Sequence, residues 1–400
     1  MPYNNYTHAA IVPLIGGLPL GTENAFGKKP EYVLSYSPFY ANDSQYRNYN
    51  SDAPYYRIDE NEVPSSLKSV DVVGATCPCA GLSSLSPSAS TDNSANDWMV
   101  ESAKFVLGEV KPKVFWGENA PRLASKMGMP IVKKLRDVAT KNGYTMSLYK
   151  TKSKLHGLSQ TRDRSFYFFW KGKRIPYMPF HHKPHERIED TILNAFVSND
   201  DPMNQLTNKN KPSENPFYKY VLEEIEGGIT HRQFFDKIEK TINPMDYIEN
   251  HGISYDKVAV WMEKKGYAKK AERCLQIHKK LKAGGNVMRK LTEIPKDYIG
   301  AFVGHMPTCL THPHEDRYLT IRECLAIMKM PKDFQLQGGK RNLNMICQNV
   351  PVTTATDMAT SIKLWLDGKL DSREANFAMI DNKKQTIEFE ETPQTIESFI

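Results

Sequence analysis

The 400-residue sequence has no stretch of about 18 apolar residues, so no segment is built to cross a membrane as a helix. Its opening, Met1-Pro-Tyr-Asn-Asn-Tyr-Thr-His, offers neither a basic segment nor an apolar run, and no secretory signal is expected. The six cysteines follow no repeating pattern, which argues against a disulfide framework and for a reducing, cytoplasmic setting. Cys77 and Cys79, separated only by Pro78, lack the spacing of a zinc pair. His181-His182-x-x-His185 invites a metal reading, but no cysteine or carboxylate stands at zinc spacing from it, so a solvated loop and no metal are expected. Internal repeats are absent too. The hydrophobic share of 40% suffices for a core, and the length favours two domains.

The stretch around which the chain is organised is Asp71-Val-Val-Gly-Ala-Thr-Cys-Pro-Cys-Ala-Gly-Leu-Ser83. Val70–Val73 reads as a buried strand ended by Gly74 and Pro78. Cys79 then lies on a small-residue turn, either exposed to act beyond the sheet or buried as a structural thiol. Upstream, His8 to Ile15 is an apolar run leading into Gly16-Gly17, and Thr22 to Phe26 reads as the first turns of a helix. Strand, glycine turn and helix start together suit a phosphate- or nucleotide-binding opening. Tyr32–Tyr36, Val114–Gly117 and Ser165–Trp170 read as strands. Trp98–Val110 and Pro130–Asn142 have helical spacing. Ser84–Asn96, rich in small polar residues, is expected to be a mobile loop. This alternation predicts an α/β fold with a mostly parallel sheet.

From Ile175 to Arg317 the βα alternation stops and the chain becomes loop-rich, then helical and basic. The net charge of +7 concentrates here: residues 257–296 hold twelve basic against three acidic residues, a local +9. That excess fits either a solvated helix face or a polyanion partner. Three parts are therefore expected: 1–175, a separate domain at 176–316, and a return to the first domain at 317–400. Gln385–Ile400 is acidic and without an evident role.

Read in order, Thr76-Cys-Pro-Cys79, Gly117-Glu-Asn119 and Gln160-Thr-Arg162-Asp-Arg164 resemble the motifs of the DNA (cytosine-5)-methyltransferase family. His312-Pro-His-Glu-Asp-Arg-Tyr-Leu-Thr-Ile-Arg-Glu323 is similar to the family segment that closes the recognition domain. Gln348-Asn-Val-Pro351 is similar to its last motif, whose helix packs beside the first strand. The resemblance implies a Rossmann-like S-adenosylmethionine-dependent methyltransferase domain with a smaller, basic target-recognition domain.

It also implies a division of labour. Cys79 would add as thiolate to carbon 6 of cytosine, which makes carbon 5 nucleophilic. Glu118 would hold or donate a proton at ring nitrogen 3. Arg162 and Arg164 would fix the base and stabilise developing negative charge. Asn119 and Gln160 would help bind the substrate. The donor S-adenosyl-L-methionine would be held by Gly16, Gly17, Asp59, Pro78 and Trp98. The cytosine of double-stranded DNA would be flipped into the pocket, with the basic segment on phosphates, and Asn199–Pro216 or Met306–His312 on base edges. A monomer without membrane attachment, accompanied by a restriction endonuclease, is the partner set such enzymes suggest.

The sequence departs from the family at four points. Leu14 stands where a glycine is usual. Ser35-Tyr36-Ser37 stands where an acidic residue would meet the ribose, which leaves a modified donor open. Ala80 replaces a glutamine, and Cys347-Gln348 replaces Gly-Asn. The rival readings are a methyltransferase of the same chemistry acting on transfer RNA, and a catalytically silent DNA-binding protein of this fold.

Overall fold

Short runs of β-branched and aromatic residues, each followed by an amphipathic segment, form the strands and covering helices of one large sheet. A computed structural model describes residues 5–78, 81–83, 89–285, 287 and 291–390. The strands are β1 (His8–Ile11), β2 (Val33–Ser35), β3 (Tyr55–Arg57), β4 (Val72–Ala75), β5 (Val114–Asn119), β6 (Tyr144–Lys152) and β7 (Asp163–Lys171). A small hairpin-like pair, β8 (Arg174–Pro176) and β9 (Ser372–Glu374), lies apart, and β10 (Phe377–Asp381) and β11 (Thr386–Glu390) complete the set. Nine strands join in the order β11-β10-β6-β7-β5-β4-β1-β2-β3. β1 to β5 run parallel, β7 is antiparallel to both of its neighbours, β10 is parallel to β6, and β11 is antiparallel to β10. The mostly parallel α/β sheet expected from the sequence is present.

Helices cover both faces, which is why β1, β4 and β5 are buried along their whole length. On one face lie α1 (Gly17–Phe26) and the late helix Val352–Leu366; on the other lie Asp97–Phe105 and Met129–Lys141. Counting along the chain with α2 (Tyr40–Tyr49), the last two are α3 and α4. Strand alternation divides β5 and β7 between two cores. Val114, Trp116, Phe166, Phe168 and Trp170 pack with Val352–Leu366, whereas Phe115, Tyr167 and Phe169 pack with α3 and α4.

The remaining helices are α5 (Ile188–Leu193), α6 (Pro216–Tyr220), α7 (His231–Lys237), α8 (Pro244–Asn250), α9 (Tyr255–Lys264), α10 (Ala268–Lys282), α11 (Ile321–Ile327), α12 (Leu343–Gln348) and α13 (Val352–Leu366). A core of its own joins α6 to α10, drawing residues from 217 to 294. The flanking segments 188–203 and 299–310 instead share a core with α11, α12 and residues of α1 and α2.

Several local readings change. The strand read at Val70–Val73 begins at Val72 and runs to Ala75, and the first helix starts at Gly17. α2 and β6 were not read as elements. Thr386–Glu390, in the tail read as having no role, is the edge strand of the main sheet. Residues 84–88 of the predicted mobile loop lie outside the described residues, but its end is fixed: Asn96 is buried and donates to the carbonyls of Ser90 (2.9 Å) and Thr91 (3.3 Å).

Two contacts set the entrance to the sheet. Gly21 lets α1 lie directly on α13, since a Cβ there would be 2.4 Å from Ala355 Cβ and 2.7 Å from the Thr356 amide. Asp43, buried on α2, ties three strand ends: it accepts from the Leu14 amide (3.1 Å) after β1, the Ser35 hydroxyl of β2, and the Tyr55 hydroxyl (3.1 Å) of β3. Burial pushes the Asp43 carboxyl up to about 7, against the opposing bonds from Ser35, Leu14 and Tyr55.

Gly21→Leu should therefore destabilise the fold by the cost of overpacking, about 1–3 kcal/mol, seen as a lower melting temperature; an unchanged melt would contradict the close helix contact. For Asp43 the folded state binds the extra proton between about pH 4 and pH 7, so this group's contribution to stability falls as pH rises through that window. In urea melts across the window the slope of stability against pH should be more positive for Asp43→Asn than for wild type; identical slopes would contradict the assignment.

Candidate active site

The carboxyl ends of β1 to β5 lie side by side, and the strand order reverses between β1 and β4, where open α/β sheets bind ligands. Glu118, second to last in β5, is buried and forms an ion pair with Arg164 at the start of β7. Register explains the meeting. Glu118 stands opposite Phe166, and Arg164, two residues before Phe166, points to the same face. Gly117 must lack a side chain because a Cβ there would be 2.3 Å from the Tyr167 hydroxyl. The pairing of β5 with β7 thus puts Glu118 and Arg164 on one face.

The other residues expected beside them have different partners. Asn119, one step along β5, points to the opposite face, where its Oδ1 accepts from the Ala120 amide at 2.8 Å and its Nδ2 faces Met99 Sδ at 3.9 Å. Arg162 is buried, and its Nη1 donates to the carbonyls of Phe302 (2.8 Å) and Cys347 (2.7 Å), fastening segments far apart in sequence. Gln160 is buried as well; its Nε2 donates to Ile327 O (3.2 Å) and its Oε1 accepts from the Phe302 amide (3.4 Å). The described bonds of Arg162 and Gln160 thus join them to the framework, and none of these bonds is to Glu118.

Cys79 lies outside the described residues. Its described flanks are firm: Cys77 and Leu82 are in the core, and Gly81 abuts Asn96, whose Oδ1 would be 2.4 Å from an added Cβ. Cys77 is not a competing nucleophile. Its Sγ faces Ser102 Oγ (3.7 Å) and the Tyr167 hydroxyl (3.9 Å), and burial pushes its thiol up to about 11.

On the β1 side, Gly16 has φ +102°, and a Cβ would meet the Tyr46 ring at 2.3 Å. The Gly17 amide donates to Asn349 Oδ1 at 2.8 Å, and a Cβ would fall 1.9 Å from Val350 O. These glycines thus admit the chain's own Tyr46, Asn349 and Val350, an additional reason for their lack of side chains. Leu14, at the position where the family prefers glycine, has φ +54°, a conformation that costs a branched residue energy.

The end of β2 lacks a carboxylate of its own, but the turn after β3 brings two. Asp59 accepts from the Ser37 amide at 3.0 and 3.1 Å, and Glu60 accepts from the Ser37 hydroxyl. Trp98 at the start of α3 lies against Tyr36 (ring centroids 4.7 Å apart) and Phe39 (5.2 Å), two aromatic residues the sequence reading did not single out. Pro78 is half-buried nearby in sequence, and Thr76 Oγ1 is buried with no hydrogen-bond partner among the described residues. A half-buried aromatic cluster, two carboxylates at Ser37 and an unsatisfied hydroxyl at neighbouring strand ends fit a ligand with an aromatic ring and polar groups, as S-adenosyl-L-methionine has.

His181 lies close to two residues far away in sequence. His156, His181 and Asp357 have candidate ligand atoms within 4.8 Å of one another, although the histidine run had been read as a solvated loop. Among the described residues no helix is long and apolar enough to cross a membrane.

Comparison with known proteins agrees with this arrangement. The family model for C-5 cytosine-specific DNA methylase matches residues 14–364. A sequence search of the curated proteins found no match. Among solved structures, the chain is similar to a putative DNA modification methyltransferase encoded within an E. coli prophage (14% identity, 90% of this chain and 99% of that chain, TM-score 0.56). It is also similar to the Entamoeba histolytica methyltransferase EhMeth (12% identity, 91% and 99%, TM-score 0.53). At these identities the neighbours speak for the fold, a Rossmann-like methyltransferase domain. The family match covers most of the chain and says more: this protein belongs to the C-5 cytosine-specific DNA methylases, DNA cytosine methyltransferases that use S-adenosyl-L-methionine as methyl donor.

Proposed function

We propose that the protein methylates carbon 5 of a cytosine flipped out of duplex DNA, through a covalent adduct with Cys79. The observation that carries this reading is the buried Glu118–Arg164 pair at the end of β5, the strand beside the one that leads to Cys79. The cysteine inventory supports the nucleophile. The other five, Cys77, Cys274, Cys309, Cys324 and Cys347, are all buried, and burial raises every one of their thiols above the usual range. None of them suits attack on a base.

In this reading the Cys79 thiolate forms a bond to carbon 6, and the ring electrons move toward carbon 5. On base binding Glu118 takes up a proton from solvent and shares it with ring nitrogen 3, so the ring gains no full negative charge. Arg164, fixed by Glu118, would hold the base edge and oppose developing charge. When bound, S-adenosyl-L-methionine supplies an electrophilic methyl group, and Tyr36, Phe39, Trp98, Thr76 and Pro78 are the residues that would hold it. Water then takes the proton from carbon 5, the ring double bond re-forms as the sulfur–carbon 6 bond breaks with its electrons returning to the Cys79 thiolate, and ring nitrogen 3 gives up its proton to Glu118. Arg162, Gln160 and Asn119 take supporting roles.

The duplex would lie along the helical part. On α10, Lys269, Arg273 and Lys280 share one exposed stripe, with spacing i, i+4 and i+11, beside a groove of about 250 Å³ lined by Arg273, Gln276, Ile277, Lys280 and Val287. The stripe spans about 16 Å of helix. Lys265 and Lys296 are less available, the first paired with Glu223 and the second lying over the Phe235 ring. The segments Asn199–Pro216 and Met306–His312 meet through Asn208 Nδ2 and Thr308 O (3.2 Å), consistent with one shared base-reading edge.

Labelled methyl transfer to duplex DNA and to transfer RNA, with wild type and Cys79→Ser in parallel, tests the reaction. Label on cytosine carbon 5 of DNA, abolished in the variant while DNA affinity persists, is expected; retained transfer in the variant, or label confined to RNA, would overturn the proposal. Replacing Lys269, Arg273 and Lys280 with glutamine should flatten the salt dependence of DNA binding by roughly 0.9 per lost phosphate contact. An unchanged slope would assign the duplex to another surface.

A further inference from the structure

The turn 153–162, between β6 and β7, is held by a buried network that the proposed reaction does not use. His156 at its centre is fully buried. Its Nδ1 lies 2.9 Å from Asp357 Oδ2 on α13, and its Nε2 lies 2.8 Å from Thr151 Oγ1 on β6. Thr151 Oγ1 in turn accepts from Asn382 Nδ2 at 2.9 Å, and Asn382 Oδ1 accepts from the His181 amide at 2.8 Å. Lys183 pairs with the other Asp357 oxygen. Every group then has a consistent direction: Asn382 donates to Thr151, Thr151 donates to neutral His156, and His156 donates to the Asp357 carboxylate. Burial lowers the His156 imidazole and opposes the Asp357 carboxylate, which bonds from His156 and Lys183 nevertheless hold below its usual range.

The same turn carries both connections to the helical part. On the way in, the Lys183 amide donates to Leu155 O (3.0 Å) and the Glu186 amide to Gly157 O (3.1 Å). On the way back, the Ile299 amide donates to Ser159 O and the Thr161 amide to Ile299 O, each at 3.0 Å, and Arg162 holds Phe302. Thr151 stands directly opposite Arg164 in the β6–β7 ladder. One turn thus adjoins the proposed catalytic arginine and both crossings to the recognition helices.

We propose that His156, with Thr151 and Asp357, forms a positioning device that locks this turn so that Arg164 meets Glu118 while the helical part is held in register. This inference rests on the proposed role of the Glu118–Arg164 pair. Two other readings of the cluster fit less well. A metal ion would compete with Lys183 for Asp357 and with the bonds already made by both His156 nitrogens. A threonine nucleophile activated by His156 would need access, and Thr151 is only 1% exposed.

Thr151→Val removes the hydroxyl at nearly constant shape, and Thr151→Ser keeps it. The valine variant should lose about tenfold in kcat, the scale of a small misplacement of a reacting group, with KM for duplex DNA within about twofold of wild type. Serine should restore the rate. Amide hydrogen exchange should quicken at 155–162 and 299–302 in the valine variant alone. Wild-type kcat and exchange in the valine variant would overturn the inference, as would stoichiometric bound metal in the purified protein. If the wild type transfers no methyl group to any DNA, the functional reading has failed, and the exchange comparison alone decides whether the network locks the turn.

Discussion

The buried ion pair between Glu118 and Arg164 is the constraint on which the rest of the site depends. Two charges taken out of water are costly unless they meet, and removing one partner of such a pair typically costs about 3–5 kcal/mol. The meeting is secured by the register of β5 with β7, which puts Arg164 two residues from the position opposite Glu118 on the same face. Aromatic packing in turn secures the register. Trp116 stacks with Phe168 at 5.9 Å and Phe115 with Phe169 at 5.4 Å, so a slip by one residue would exchange the two cores.

A second constraint is connectivity. The helical part has its own core, but its flanking segments are built into the core of the first part and bonded to the turn 153–162. Arg162 shows how tightly the pieces are joined: one guanidinium nitrogen bonds carbonyls 140 and 185 residues away. The helical part and the strand that carries Arg164 therefore share a mechanical support.

Much of this was legible in the sequence. The parallel sheet followed from strand–helix alternation, and the family from the ordered motifs at Cys79, Glu118 and Arg164. The roles of neighbours within those motifs were not legible, because they depend on which way a side chain points. Glu118 and Asn119 are adjacent, yet strand alternation sends them to opposite faces. Arg162 and Arg164 share a motif, but Arg162 precedes the strand and finds carbonyls that only the fold brings near. The carboxylates at Ser37 come from the turn after β3, so searching the end of β2 could not find them. Thr386-Ile-Glu-Phe-Glu390 carried the period-two pattern of an edge strand, masked by its acidic content. His156 gave no motif signal, since its partners lie on β6 and on α13.

The most direct measurement of the central claim is a double-mutant cycle on single-turnover methyl transfer to duplex DNA. It compares Glu118→Gln, Arg164→Ala and the two combined. If the pair acts as one unit at the base, each single change lowers the rate by about 100-fold, and the double variant is little slower than the worse single one. Effects that multiply independently, or a variant of either residue with wild-type rate, would contradict the account.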